Sequence, residues 1–314
     1  MKTFLISPAC ILMLTLGLTS AAPKEEVPTW TDPKLAQEEH PDFALQGEYT
    51  GEIDGSYTGI QVAALDEGKF HLLEYQGGLP GAGWDGSAIT ASVIERSALI
   101  VEVEDMKKIK RKSPTLGKDA PGKALVIFDG KKTSYIEGEI SDGLLWAGAT
   151  TTTPVRDFFM HIEFRLPYKP GRDLSSQDRG NSGIYVFNNY EIQVLDSFGL
   201  DFDQENNAVD TQSENAQWCG SFYKVKTPDV PMSLPPLTWQ TYDIDYTAPR
   251  FEEDKKVSNA RFTVRHNGVI IHDGVELEKG TGGGAKRPEA EEGIILFQGH
   301  GNPVAFRNIW LEKK

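Results

Sequence analysis

Cysteine is nearly missing from this 314-residue chain: there are two, Cys10 and Cys219. Cys10 lies in an apolar leader that reads as removable, which leaves Cys219 alone and excludes an internal disulfide in the mature monomer. An oxidising compartment permits disulfides without requiring them, so the scarcity does not exclude export. Cys219 stands between Trp218 and Gly220 with no His–Cys pairing nearby, and reads as a buried structural thiol. Positive charge is short as well: 32 Lys and Arg face 46 Asp and Glu, a formal charge of −14. Nucleic acids and anionic membrane surfaces both need a basic face, so neither is an expected partner. The one basic run, Lys107 to Lys112, is short, precedes Ser113-Pro114, and reads as a solvated linker edge. Past the leader, no stretch is long and apolar enough to cross a bilayer, so no transmembrane segment is expected.

What is present points to strands. The 31 Gly and 18 Pro separate many short apolar runs, the pattern of an all-β protein rich in turns. Lys2, the apolar run from Phe4 to Leu18 and the small residues Thr19-Ser20-Ala21-Ala22 read as a signal peptide over residues 1–22. The expected location is therefore exported, periplasmic or extracellular. A polar extension, residues 23–41, contains Asp32-Pro33 as cap and first residue of a short helix running to about Glu39. Residues 42–112 read as a small β domain. Its first hairpin joins Gly59 to Leu65 and Lys69 to Tyr75 through Asp66-Glu67-Gly68, with further strands over Ala88 to Ile94 and Ala98 to Val103. Residues 113–123 carry two Pro and two Gly and read as a linker to a larger domain, residues 124–314.

In that larger domain Phe158, Met160, Ile162, Phe164 and Leu166 alternate with His161, Glu163 and Arg165, as a half-buried strand requires. Similar strands and an Asn267-Gly268 hairpin predict a two-sheet sandwich. The stretch from Asn181 to Asp196 reads as a hairpin. With Asn188-Asn189 as its turn, Val186 opposes Glu191 and Ile184 opposes Gln193. Tyr185, Phe187, Tyr190, Ile192 and Val194 then face the core, and Ile184, Val186, Glu191 and Gln193 face outward. A carboxylate and an amide flanked by apolar neighbours suit the floor of a polar ligand groove, or an ordinary solvated face. Gln298 and His300 repeat the spacing near the C-terminus, with His300 in a Gly-rich turn able to present a functional side chain. Arg165 and Arg307 are candidates for holding a carboxylate or sugar oxygen, or for bridging Glu163 and Glu191.

Glu163-Phe164-Arg165, Gly180-Asn181-Ser182-Gly183-Ile184 and Tyr190-Glu191-Ile192-Gln193-Val194-Leu195-Asp196-Ser197 resemble the central block of the 3-keto-disaccharide hydrolase family. Leu296-Phe297-Gln298-Gly299-His300-Gly301, with Phe306-Arg307-Asn308-Ile309, resembles its C-terminal block, and Ile127-Phe128-Asp129-Gly130 its opening. The likeness covers about residues 125–314 and departs at Gly299, often Asp in the family, and at a long insert from Asp201 to Gln217. It implies a concanavalin-like jelly-roll sandwich with a sugar-binding face, preceded here by the small β domain. It also implies cleavage of glycosides already oxidised at C3, where base-assisted elimination and addition of water give net hydrolysis.

Such chemistry needs a general base, an enolate stabiliser and an acid. His300 and Glu191 are the expected catalytic pair. Arg165, Gln193, Gln298, Arg307 and Asn181 are expected to bind substrate. A divalent cation, if used, would take Glu191 and Asp196 as oxygen ligands. The expected partners are an oxidised glycoside or disaccharide and a sugar oxidoreductase that makes it. Two alternatives stand beside this: an enzyme on unmodified glycans drawing its carboxylates from Glu163, Glu191 and Asp196, and a non-catalytic carbohydrate-binding or adhesion module with Trp146, Trp218 or Trp239 as platforms. The acidic loop with Asp201, Asp203, Glu205 and Asp210 reads as solvated, without the spacing of a calcium hand.

Overall fold

The computed structural model describes residues 27–200 and 216–314. The expected signal peptide and the acidic loop of Asp201, Asp203, Glu205 and Asp210 lie outside the described residues. The first element is the helix Pro33–Glu39, whose cap Asp32 accepts hydrogen bonds from the Lys34 and Leu35 N–H groups. Pro at the first helical position loses nothing there, because that N–H has no partner inside a helix. A five-stranded antiparallel sheet follows, ordered Thr90–Glu95, Lys69–Gln76, Ser56–Ala64, Gly47–Ile53 and Lys107–Ile109.

One expectation fails in this unit, and a second holds in part. Residues Arg96–Glu102 form a helix, where Ala98 to Val103 reads as a strand in sequence. Only Leu99 of the helix is buried, while Ile100 and Val101 are exposed; a short apolar run cannot tell helix from strand by periodicity. The basic run is solvated, with Lys107, Lys108, Lys110 and Lys112 exposed, but it is the edge strand of the sheet and not a linker. Lys107–Ile109 pairs with Glu48–Thr50, and Arg111 Nε donates to the buried Glu48 carboxylate at 2.7 Å.

The larger unit is a pair of sheets sharing one apolar core. The first sheet is ordered Tyr190–Val194, Ser182–Val186, Ile295–Phe297, Ala149–Thr151 and Ile136–Glu137. The second runs Val269–Leu277, Ala260–His266, Trp239–Thr247, Phe158–Arg165, Ala305–Lys313, Leu144–Trp146 and Ile140–Ser141, with Leu125–Phe128 also paired to Ala305–Lys313. Phe158, Met160, Ile162 and Phe164 point into the core with Ile184, Val186, Tyr190, Ile192 and Val194 of the facing sheet. Aromatic pairs cross between the sheets, among them Tyr190–Phe262 with ring centroids 5.5 Å apart and Phe297–Phe306 at 5.0 Å. The expected Asn267-Gly268 hairpin is present, with both residues at positive φ, the backbone a type I′ turn demands. Cys219 is buried, its sulfur 3.2 Å from the Tyr242 hydroxyl.

Candidate functional site

The hairpin carrying Glu191 has a different register from the one expected. Its turn is three residues, Phe187-Asn188-Asn189, so Tyr185 opposes Glu191 and Gly183 opposes Gln193. Phe187 and Asn188 both take positive φ, 56° and 59°. A phenylalanine rarely accepts this backbone; here its neighbour Asn189 is held from outside the hairpin. Asn189 is 1% exposed; its side chain donates to the carbonyls of Arg287 and Pro288, and its backbone carbonyl accepts the Thr281 N–H. The one-residue change turns every side chain of Ser182–Val186 over, as period-two geometry dictates. Ile184 and Val186 therefore face the core, and Tyr185 faces outward with Glu191 and Gln193.

The outer face of this sheet can be read in two rows. Glu191, Tyr185, Leu296, Thr150 and Glu137 are successive partners across five strands. In the adjacent row Gln193 pairs with Gly183, whose carbonyl accepts the Gln298 N–H at 2.8 Å. Gly183 is needed beside the carboxylate, since a Cβ there would sit 2.5 Å from Glu191 Oε1. Oε2 instead accepts the Tyr185 hydroxyl at 2.6 Å. Glu191 is 2% exposed; burial pushes its carboxyl up to about 7, and the Tyr185 hydrogen bond pulls in the opposite direction. Burial, then Glu191 itself, also pushes the Tyr185 hydroxyl well above its usual range.

Gln177, from the loop before the hairpin, ties the face together. Its Oε1 accepts from Asn181 Nδ2 at 3.2 Å and from Gln193 Nε2 at 3.1 Å. Two acceptors on this face, Gln193 Oε1 and Gln298 Oε1, are buried with no hydrogen-bond partner among the described residues. Unpaired buried acceptors are costly, and a ligand bearing hydroxyl donors would satisfy them. His300 is exposed on the rim, in a depression of about 310 Å³ with Arg172, Ser176, Gln177 and Asp178. A larger depression of about 650 Å³ lies on the small unit between Asp66, Glu95 and Arg96, away from this face; its Arg96 is already paired with Asp42 at 2.6 Å.

Not every residue named from sequence comes to this face. Arg165 and Arg307 stand on the outer face of the other sheet, across the core from Glu191, because they alternate with the core residues Phe164 and Phe306. Both guanidinium groups lie over the Trp239 ring, 4.9 and 4.0 Å from its centroid, and Arg307 Nε donates to Glu163 at 2.7 Å. Arg307 pairs with Glu163, not Glu191, and Trp239 is covered by both arginines instead of offering an open platform. Asp196 is committed to Arg179 in an ion pair of 2.7 Å, both side chains 1% exposed. With Asp196 so engaged, and no cluster of three or more His, Cys, Asp or Glu able to hold a metal among the described residues, Glu191 and Asp196 do not fit a cation site. Tyr185 and Gln177 escape sequence reading. The first is hidden by the register error, and nothing in Ser175-Ser176-Gln177 marks the second.

No curated protein matches this chain. A crystal structure from Parabacteroides distasonis, provisionally described as a glycosyl hydrolase, is 32% identical over 62% of this chain and 85% of that one, with a TM-score of 0.50. A second from the same organism, described in the same way, is 16% identical over 61% and 94%, with a TM-score of 0.42. The signature of the 3-keto-alpha-glucoside-1,2-lyase-like domain matches residues 117–312. That span takes in both sheets and every residue of the Glu191 face, and the chain belongs to this family of carbohydrate-active, glycosyl-hydrolase-like proteins.

Proposed function

We propose that the protein cleaves glycosides or disaccharides carrying a ketone at C3 of the sugar. The observation that carries this reading is Glu191: a buried carboxyl pushed up to about 7, on a polar face with two acceptors unpartnered among the described residues. A group titrating near neutrality can both take and return a proton, which is what acid–base catalysis requires. The C3 ketone acidifies the C2 proton. Glu191 or His300 removes it, the C2 electrons form the C1–C2 double bond, and the C1–O bond breaks with its electrons on the leaving oxygen. The other residue of the pair protonates that oxygen. Addition of water across the new double bond completes a net hydrolysis. Gln193 and Gln298 would accept hydrogen bonds from ring hydroxyls, with Asn181 and Gln177 setting the Gln193 amide. No step is routed through a metal, and Arg165 has no part in it.

The same proposal includes a concanavalin-like jelly-roll connectivity, export through the leader, and a sugar oxidoreductase that supplies the ketone. Incubation with 3-keto-trehalose and 3-keto-sucrose beside the unoxidised sugars, following monosaccharide release, tests it. Release from the keto sugars alone is expected. Release from the unoxidised sugars, or binding with no turnover of any, would turn the reading toward the two alternatives.

A further inference from the structure

The small N-terminal unit touches the larger one at the roots of the loops that surround the candidate site. Trp30 and Tyr168 exchange backbone hydrogen bonds of 3.0 and 2.9 Å, so the polar extension bridges to the segment that leaves strand Phe158–Arg165. Tyr168, although it belongs to the larger unit in sequence, is fully buried in the small unit's core beside Tyr49, Val62 and Phe70. Its ring lies 5.0 Å from Phe43 and 5.6 Å from Trp30. Beyond the Glu191 strand, Gly199 is seated on Ala63, where a Cβ would come within 2.6 Å of the Ala63 Cβ. His71 Nδ1 lies 2.8 Å from the Gly199 carbonyl.

The residue after Tyr168 reaches toward the site. Lys169 Nζ donates to Asn302 Oδ1 at 3.0 Å and pairs with Asp178 Oδ2 at 3.2 Å. Asn302 Oδ1 also accepts the Gly180 N–H, and Asn302 Nδ2 donates to the His300 carbonyl. Asp178 adjoins Gln177, and Gly180 leads into the hairpin. These are irregular segments with no sheet ladder of their own, so their position depends on such side-chain ties.

We infer that the small N-terminal unit is a positioning brace for the candidate site: it holds Tyr168 in its core and Gly199 on its sheet, and through Lys169 and Asn302 it sets where the loops bearing Gln177 and His300 stand. The catalytic consequence rests on the function proposed above; the mechanical claim does not.

The test is hydrogen–deuterium exchange on the full-length chain, comparing peptides over 172–181 and 298–303 with 158–165 as an internal reference. Trp30→Ala and Lys169→Met should each speed exchange in the two loops by roughly tenfold while the reference strand stays protected, since local opening need not follow global unfolding. Trp30→Phe, which keeps a ring against Tyr168, should restore the wild-type pattern. Should Trp30→Ala also expose the reference strand, Phe43→Leu supplies the milder change in the small unit and should show a smaller rise in the same loops. Unchanged loop exchange in the folded small-unit variants overturns the brace, whatever Lys169→Met does. In parallel, the small-unit variants should lower kcat on a 3-keto-disaccharide with little change in KM. A wild-type chain that cleaves no keto sugar would remove the catalytic reading and leave the exchange data to decide the brace.

Discussion

The two outer faces of the sandwich each bury a carboxylate to within 2% of full burial, Glu191 on one and Glu163 on the other, and their chemistry is opposite. Glu163 is saturated with partners. It accepts from Arg307 Nε at 2.7 Å, Asn308 Nδ2 at 2.9 Å and the Gly117 N–H at 2.5 Å, and His161 Nε2 lies 3.7 Å away. Burial raises its pKa, but these donors together overcome that and hold its carboxyl down at about 2. Among the described residues Glu191 has one side-chain donor, Tyr185, and burial prevails, leaving it at about 7. Burial alone therefore does not make a proton-transfer group; burial with too few donors does.

The Glu163 cluster has a visible structural task. Gly117 belongs to the segment expected to be a linker, and Thr115 of the same segment donates to Asp243 at 2.7 Å, which in turn receives His161 Nδ1 at 2.7 Å. His161 is stacked on Trp310, and its two carboxylate neighbours raise its pKa against the opposing effect of burial. The segment is thus bound to the sheet through a charged network instead of spanning free solvent.

The largest expected effect separates the faces by stability. Glu163→Gln takes a counter-charge from Arg307, itself 38% exposed, and from His161, which keeps Asp243, so the cost should be about 3 kcal/mol, the low end of the scale for breaking a buried pair. The native carboxyl sits below its ordinary value of 4.5, so the stability it contributes is complete above pH 4.5 and is lost as pH falls toward 2. Denaturant unfolding at pH 7 and pH 3 should show a large difference between wild type and variant at the first and a reduced one at the second. Cleavage activity at permissive temperature should survive.

Glu191→Gln should behave in the opposite way. Activity on a 3-keto-glycoside should fall by roughly 10²-fold or more, the scale for losing an acid–base group. The native carboxyl is raised from 4.5 to about 7, so its ionisation costs stability above pH 7 and nothing below pH 4.5. The variant should be at least as stable as wild type at pH 8, and its advantage should vanish at pH 4. A variant that unfolds more easily at pH 8 would place Glu191 in the same structural class as Glu163.

His300→Ala comes next. Its side chain is exposed, so the unfolding midpoint should stay within experimental error while turnover falls by roughly 10²-fold. Full activity would move the second proton-transfer role to another residue of the face. The smallest effect belongs to Tyr185→Phe. Loss of the hydrogen bond that favours the Glu191 carboxylate should move the acidic limb of the kcat/KM profile to higher pH, by an amount worth about 1 kcal/mol. An unmoved limb would show that Glu191 does not set it.

Sequence alone determined a good deal here. Period-two alternation placed Phe158, Met160, Ile162 and Phe164 in the core, because only an extended strand buries every second residue. Asp32-Pro33 and Asn267-Gly268 marked a helix start and a hairpin, because their backbone requirements are local. The face of Glu191 and Gln193 was legible for the same reason. What only the tertiary structure decided is where segments far apart in the chain meet. Asn189 is captured by the carbonyls of Arg287 and Pro288, about a hundred residues later, and that capture shifts the hairpin by one residue and brings Tyr185 beside Glu191. Arg165 and Arg307 looked like site residues until sheet pairing put them across the core with Glu163. The same sequence letter, Glu, becomes a saturated structural anion on one face and a near-neutral acid on the other, because local pattern fixes which way a side chain points while the donors around it come from distant strands and loops.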